Sequence, residues 1–208
     1  LAKLSWNSNV DAGELTKEFL EGYYGKAAAF VQQYISLLDK ELKASGRILD
    51  IYGDPVSAHA TYLRPSMLEA YGDLFDLAEA AVAGSPTHLA HVRTARLPVV
   101  FAVLQQSRFY GTEKHGAFVR DKAGDWVGRP AIIKHIDAFV KTANSSGITA
   151  LSENVLNPDQ YAVEWKQILE AGPKIHLANG AQVKVLTPFS NEYPNKGPKT
   201  LTDGSRGY

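Results

Sequence analysis

The chain has 208 residues, 45% of them hydrophobic and 21% charged, enough to bury about 70% of its extended surface in one core with at most a small appendage. Its 22 basic side chains balance 22 acidic ones, so no global field draws it toward nucleic acid or an anionic membrane. The absence of cysteine excludes disulfides and thiolate metal sites and leaves the redox compartment open, and no apolar run approaches the roughly 20 residues of a membrane span.

Helical periodicity dominates the chain. Asp11-Ala12-Gly13-Glu14 has capping-box spacing, with the aspartate accepting first-turn amides and the glutamate reaching back. Leu15, Phe19, Leu20 and Tyr23 then share one face of a short helix closed by Gly25. A second helix is expected from Lys26 to Ser45, with Ala27, Phe30, Val31, Tyr34, Ile35, Leu38 and Leu42 as its stripe and Gly46 as a left-handed cap. Ile51 to Leu63, holding Gly53, Asp54 and Pro55, reads as a loop. Pro65 starts a third helix that carries Met67, Tyr71, Leu74, Phe75, Ala78 and Val82 toward Gly84, with Glu69, Asp73, Asp76 and Glu79 on a solvated opposite side.

The fourth helix is expected from Pro86 to Tyr110, with Pro98 deleting a backbone hydrogen bond inside it. Leu89, Val92, Val99 and Val103 form its stripe, and Arg96 falls within that stripe. An arginine there needs a partner: either a carboxylate or carbonyls of a neighbouring helix, or the carboxylate of a ligand. Glycines, charges and aromatics break the helical pattern from Gly111 to Arg129, and Lys122 to Asp125 reads as a hairpin or broad turn with Trp126 packing back. A fifth helix starts at Pro130, with Ile132, Ile133, Ile136, Phe139 and Val140 inward. A sixth opens at Asn157-Pro158, runs through Tyr161, Trp165, Ile168 and Leu169, and stops at Gly172-Pro173. Alternation in Gln182-Val183-Lys184-Val185-Leu186-Thr187 predicts a β-strand. The fold class expected is therefore mainly α: a bundle of about six helices with a short C-terminal β segment.

No strong catalytic motif stands out. His88 and His91 lie three apart without an evident third metal ligand and read as surface histidines, so no metal or other cofactor is expected. Gly22 and Gly25 flank two tyrosines but follow no strand, so they read as helix-end glycines rather than a phosphate cradle. With 22 carboxylates, spacing alone cannot assign a glycosidase acid–base pair. The stretch from Tyr110 to Arg129 is the candidate ligand-facing loop. It gathers Tyr110, His115, Arg120, Trp126 and Arg129 as a stacking surface and cations suited to a uronate-like carboxylate, and Arg96 joins them as a candidate. The alternative is that Trp126 closes the end of the bundle and the charges are solvated.

The chain opens on Leu1 with Met67 as its sole methionine, and Leu201 to Tyr208 reads as a turn leading onward; the expectation is an internal piece of a longer protein. Leu1 to Asn7, Val10-Asp11 and Glu18 to Ala28 resemble the segment that leaves the catalytic barrel in a bacterial family of uncharacterised, glycoside-hydrolase-like proteins akin to α-glucuronidases. The resemblance continues more weakly through Arg93 to Pro98, Lys122 to Trp126, Gly147 to Glu153 and Pro158 to Tyr161; Ser8 stands where the family has proline. Leu201 to Gly207 is similar to the opening of discoidin-like β-sandwich modules, which often bind sugars in secreted enzymes.

These resemblances imply an exit from an upstream barrel over residues 1–10, a helical domain over 11–173, and a connector over 174–208 leading to a β-sandwich. They also imply a periplasmic or extracellular protein whose partners are that barrel, that sandwich and a glycan. The catalytic carboxylates would lie in the barrel, so no catalytic residue is carried onto this chain. The function implied is an accessory helical domain with no chemistry of its own. The alternative is a non-enzymatic helical scaffold in a glycan-binding or cell-surface assembly.

Overall fold

The computed structural model describes residues 5–7, 9–49, 53–151, 156–174 and 181–184. Among them are six α-helices and one hairpin: α1 (Ala12–Tyr24), α2 (Ala28–Ser45), α3 (Pro65–Ala81), α4 (Pro86–Tyr110), β1 (Phe118–Arg120), β2 (Trp126–Gly128), α5 (Pro130–Ser145) and α6 (Pro158–Ala171). The protein is mainly helical, as its periodicity predicts, and its small antiparallel sheet is the internal hairpin rather than the C-terminal segment expected. A single 3₁₀ turn, Gly25–Ala27, joins α1 to α2.

The cap chemistry explains where the helices begin and end. Asp11 Oδ1 accepts from the amides of Gly13 (2.6 Å) and Glu14 (3.0 Å), which satisfies two of the donors left free at the start of α1. Asn157 and Gln160 form a reciprocal capping box at α6, the Gln160 amide donating to Asn157 Oδ1 at 2.8 Å and the Asn157 amide to Gln160 Oε1 at 3.0 Å. Helices α3, α4, α5 and α6 each begin with proline, where the missing amide has no partner to lose. Gly46 closes α2 in the left-handed region, at φ 64° and ψ 7°.

Successive helices pack side by side, α2 on α3, α3 on α4, α4 on α5 and α5 on α6, while α1 lies against both α2 and α4. Helix α4 is the spine, about 38 Å long at 1.5 Å per residue, and it is buried on two sides. Val92, Val99 and Ala102 face a core shared with Met67, Leu68, Tyr71, Phe75 and Ala78 of α3. Leu97, Val100 and Leu104 face a second core with Ile132, Ile136 and Phe139 of α5 and Tyr161 and Trp165 of α6. A helix covered on two sides needs apolar residues around most of its girth, so the stripe read from sequence is only one of its two buried faces.

The loop ahead of α3 is fixed by side chains. Gln106, buried on α4, donates from Nε2 to the carbonyls of Pro55 (2.9 Å) and Leu63 (2.8 Å), and Tyr71 Oη donates to the Tyr62 carbonyl at 2.9 Å. The hairpin pairs Phe118 with Gly128, Val119 with Val127 and Arg120 with Trp126. Its turn is built by Asp121, whose Oδ1 accepts from Ala123 and Asp125 amides at 2.9 Å each, and by Gly124 at φ 90°. The strand expected at Gln182 to Thr187 does not begin within 181–184, which carry no regular structure; Val185 to Thr187 lie outside the described residues. Alternation alone cannot supply the ladder partner that a strand's backbone groups need.

Candidate functional site

Helices α3 and α5 flank α4 on opposite sides, leaving a trough whose floor is α4. Arg96 rises from that floor. Its Nη1 donates to Asp76 Oδ1 at 2.6 Å and Glu79 Oε1 at 3.0 Å, both on α3, and its side chain is 22% exposed. Burial works against the charge on this guanidinium, but the hydrogen bonds and negative charges of Asp76 and Glu79 outweigh it and raise the Arg96 pKa. Glu79 Oε2 also accepts from Arg93 Nε at 3.0 Å, so one carboxylate bridges two arginines a turn apart on α4.

His135 comes to the trough from α5. Burial chiefly, and the nearby Arg96 cation next, lower its pKa, while Asp76 pulls the other way. Arg96, Val100 and His135 line two cavities at once and so divide the trough into lobes. One lobe, of about 600 Å³, lies between α4 and α5 and is floored by Leu89, Leu97, Val100 and Phe139. The other, of about 380 Å³, lies toward the loop after α4 and sets Glu69, Asp73 and Asp76 against Lys114, His115 and Arg129. Both volumes fall in the range of small-molecule sites.

The residues predicted to face a ligand are thus separated into three places. Arg96, His115 and Arg129 line the smaller lobe together. Arg129 is also a clamp: its Nε donates to the Gly116 carbonyl at 2.7 Å, and its Nη2 to the carbonyls of Phe118 (3.2 Å) and Glu113 (3.3 Å). Arg120 and Trp126 sit opposite each other on the hairpin, with the Arg120 guanidinium 4.1 Å over the Trp126 ring and donating to the Gly124 carbonyl. That ring is half-buried against the α4–α5–α6 core, and its indole N–H is enclosed without an acceptor among the described residues. Tyr110 packs at a tilt against His59, with centroids 4.0 Å apart and ring planes 34° from parallel, and burial first and Glu113 second raise its pKa. The single stacking-and-cation surface expected of this loop is therefore divided, because the hairpin turns Arg120 onto Trp126 while Arg129 points back into the loop.

Two further corrections concern helix faces. Glu69, Asp73 and Asp76 are exposed on α3 as expected, whereas Glu79 is half-buried; Asp76 and Glu79 are the partners of Arg96, so that edge of the solvated side makes a charged contact with α4. His88 and His91 are half-buried fastenings rather than plain surface residues. His91 lies flat on Tyr23, 3.7 Å between centroids, with its Nδ1 2.7 Å from the Tyr23 carbonyl, and His88 Nδ1 is 3.0 Å from Ser85 Oγ. Gly25, at φ 56°, is required beside them, because a Cβ there would come within 2.8 Å of the His88 ring.

Comparison with protein-family models, with curated proteins and with solved structures finds no match to this chain. Among the described residues, no three His, Asp or Glu side chains are grouped to hold a metal ion, and no helix is long and apolar enough to cross a membrane. His135 and Gln106 escaped notice in the sequence because each sits beside the apolar stripe of its helix as a single polar residue. Only the tertiary fold supplies the carbonyls that Gln106 bonds and the charges that His135 faces.

Proposed function

We propose that this chain is an accessory helical domain of an exported, glycoside-hydrolase-like, carbohydrate-active protein, contributing interface and a ligand-facing surface rather than bond-breaking chemistry. The family reading rests on the resemblance of Leu1 to Ala28 to a segment leaving a catalytic barrel. The observation that carries the accessory role is the use made of the carboxylates beside the trough. A glycosidase needs two carboxyl groups facing each other across a cleft, one of them protonated in the resting state. Asp76 and Glu79 instead stand three residues apart on one helix and both accept from the Arg96 guanidinium, so they do not face each other across a cleft. Upstream barrel, downstream β-sandwich and glycan are the partners this reading calls for.

The test is a turnover assay of the purified chain on a panel of aryl glycosides, with no hydrolysis expected. Turnover that disappears on replacing a single carboxylate within the chain overturns the proposal. In the parent gene, two carboxylates at the C-terminal ends of upstream barrel strands are expected; their absence would leave a scaffold role instead.

A further inference from the structure

The lobe between α4 and α5 carries a positive charge that its own lining does not balance. Its floor is apolar, and three of its members, Leu97, Val100 and Phe139, belong to the α4–α5–α6 core. Around the rim stand Arg93 and Arg96 of α4 and Lys134 and Lys141 of α5, against Glu79 as the sole carboxylate in the lining. Glu79 is shared between the two arginines, at 3.0 Å from each, and Arg96 also pairs with Asp76 at 2.6 Å, so the charges left without a partner are those of Lys134 and Lys141. Lys134 and Lys141 lie seven residues apart, two turns along one face of α5, and both are exposed. Neither makes an ion pair among the described residues. The smaller lobe differs on this point, because Glu69, Asp73 and Asp76 offset Arg96, Lys114 and Arg129 there.

We propose that the α4–α5 lobe binds an amphipathic organic carboxylate, a small molecule with a compact apolar body and one anionic end. The apolar floor releases its water only to an apolar body, so a bare inorganic anion would leave that surface wet. A neutral apolar molecule would fill the floor but leave the ammonium groups of Lys134 and Lys141 without a counter-charge. The lysines suit the task because their long stems let the charged ends follow the ligand while staying hydrated. The lobe's volume of about 600 Å³ accommodates one such molecule rather than a folded partner. Ala138, exposed on the α5 wall, marks the place where a larger side chain would fill the space without disturbing the core.

The proposal is tested by calorimetric titration of the protein with naphthalene-2-carboxylate and with the uncharged naphthalene-2-carboxamide. The carboxylate is expected to bind tighter than the amide by about tenfold or more, as one favourable charge contact of about 1.4 kcal/mol requires. The double substitution Lys134→Glu with Lys141→Glu should remove that preference, and Ala138→Trp should abolish binding of both compounds. Lys17→Glu with Lys122→Glu, on exposed residues outside the cavity lining, should change neither affinity. Melting temperatures of all variants should stay at that of the parent chain, since every position altered is exposed. Failure of the carboxylate to bind, or undiminished binding to the Ala138→Trp protein, overturns the site. Equal affinity for carboxylate and amide overturns its selectivity for anions.

Discussion

Replacing Arg96 by alanine probes the contact on which the trough depends. The substitution removes the Nη1 bonds to Asp76 and Glu79 and leaves those two carboxylates near each other on α3. If both partners were fully buried, breaking the contact would cost about 3–5 kcal/mol; if both were exposed, about 0–1 kcal/mol. The geometry lies between these limits. Asp76 is 65% exposed and contributes at the lower limit, whereas Arg96 and Glu79 are each 22% exposed, and Glu79 keeps Arg93 as a second partner. A loss of about 2 kcal/mol follows, including the packing of the arginine stem, which for a chain of this size lowers the melting temperature by about 4–8 °C. Urea denaturation measures it, and a double-mutant cycle should assign more coupling to Arg96 with Glu79 than to Arg96 with Asp76. The same variant should raise the His135 pKa, read from its imidazole proton shifts, because a cation that lowers it has gone. A stability loss below about 0.5 kcal/mol, with His135 unmoved, would place the contact among solvent-screened surface pairs and refute the reasoning.

The depressed pKa values of His135 and His59 make stability depend on pH. Burial is the first cause for both; Arg96 adds to it for His135, and for His59 the effect of His115 is opposed by Glu113. Each imidazole is favoured neutral in the folded chain, so the unfolded chain binds more protons as pH falls below the ordinary histidine value of 6.5. The stabilisation is therefore complete above about pH 7 and shrinks as pH falls toward 5, with urea midpoints dropping across that window and dropping less in His135→Gln. Gln106→Leu should cost about 2 kcal/mol, because the carbonyls of Pro55 and Leu63 lose their donor, and amide exchange should rise across residues 55–63 ahead of the rest of the chain. Exchange that rises uniformly would show that Gln106 supports the whole bundle instead of this loop.

Much of the fold is legible in the sequence because helix signals are local. A proline at N1, an asparagine or aspartate before it and a glycine after the last turn act through backbone groups within a few residues, so the limits of α4 and the start of α6 follow from the chain alone. Apolar periodicity likewise identifies most of the inward residues of α3 and α5, since 3.6 residues per turn determines which side chains share a face; Ile133, expected inward, is instead 40% exposed at the margin of the α5 stripe. Local rules also build the hairpin turn, where Asp121 and Gly124 do their work within five residues.

The site is a different matter, since its parts meet only through packing. Arg96 announces in sequence that it needs a partner, but the choice of Asp76 and Glu79 over a ligand was made by α3 lying beside α4. The second apolar face of α4, the closure of Arg120 over Trp126, the inward turn of Arg129 and the meeting of His135 with Arg96 were decided the same way. A polar side chain's role is set by what stands within about 3–4 Å of it, and those neighbours come from residues that sequence spacing does not connect. The sequence alone determined which helices exist and where most of them begin; the tertiary structure decided which charges are spent on one another and which, on the rim of the α4–α5 lobe, are left facing outward.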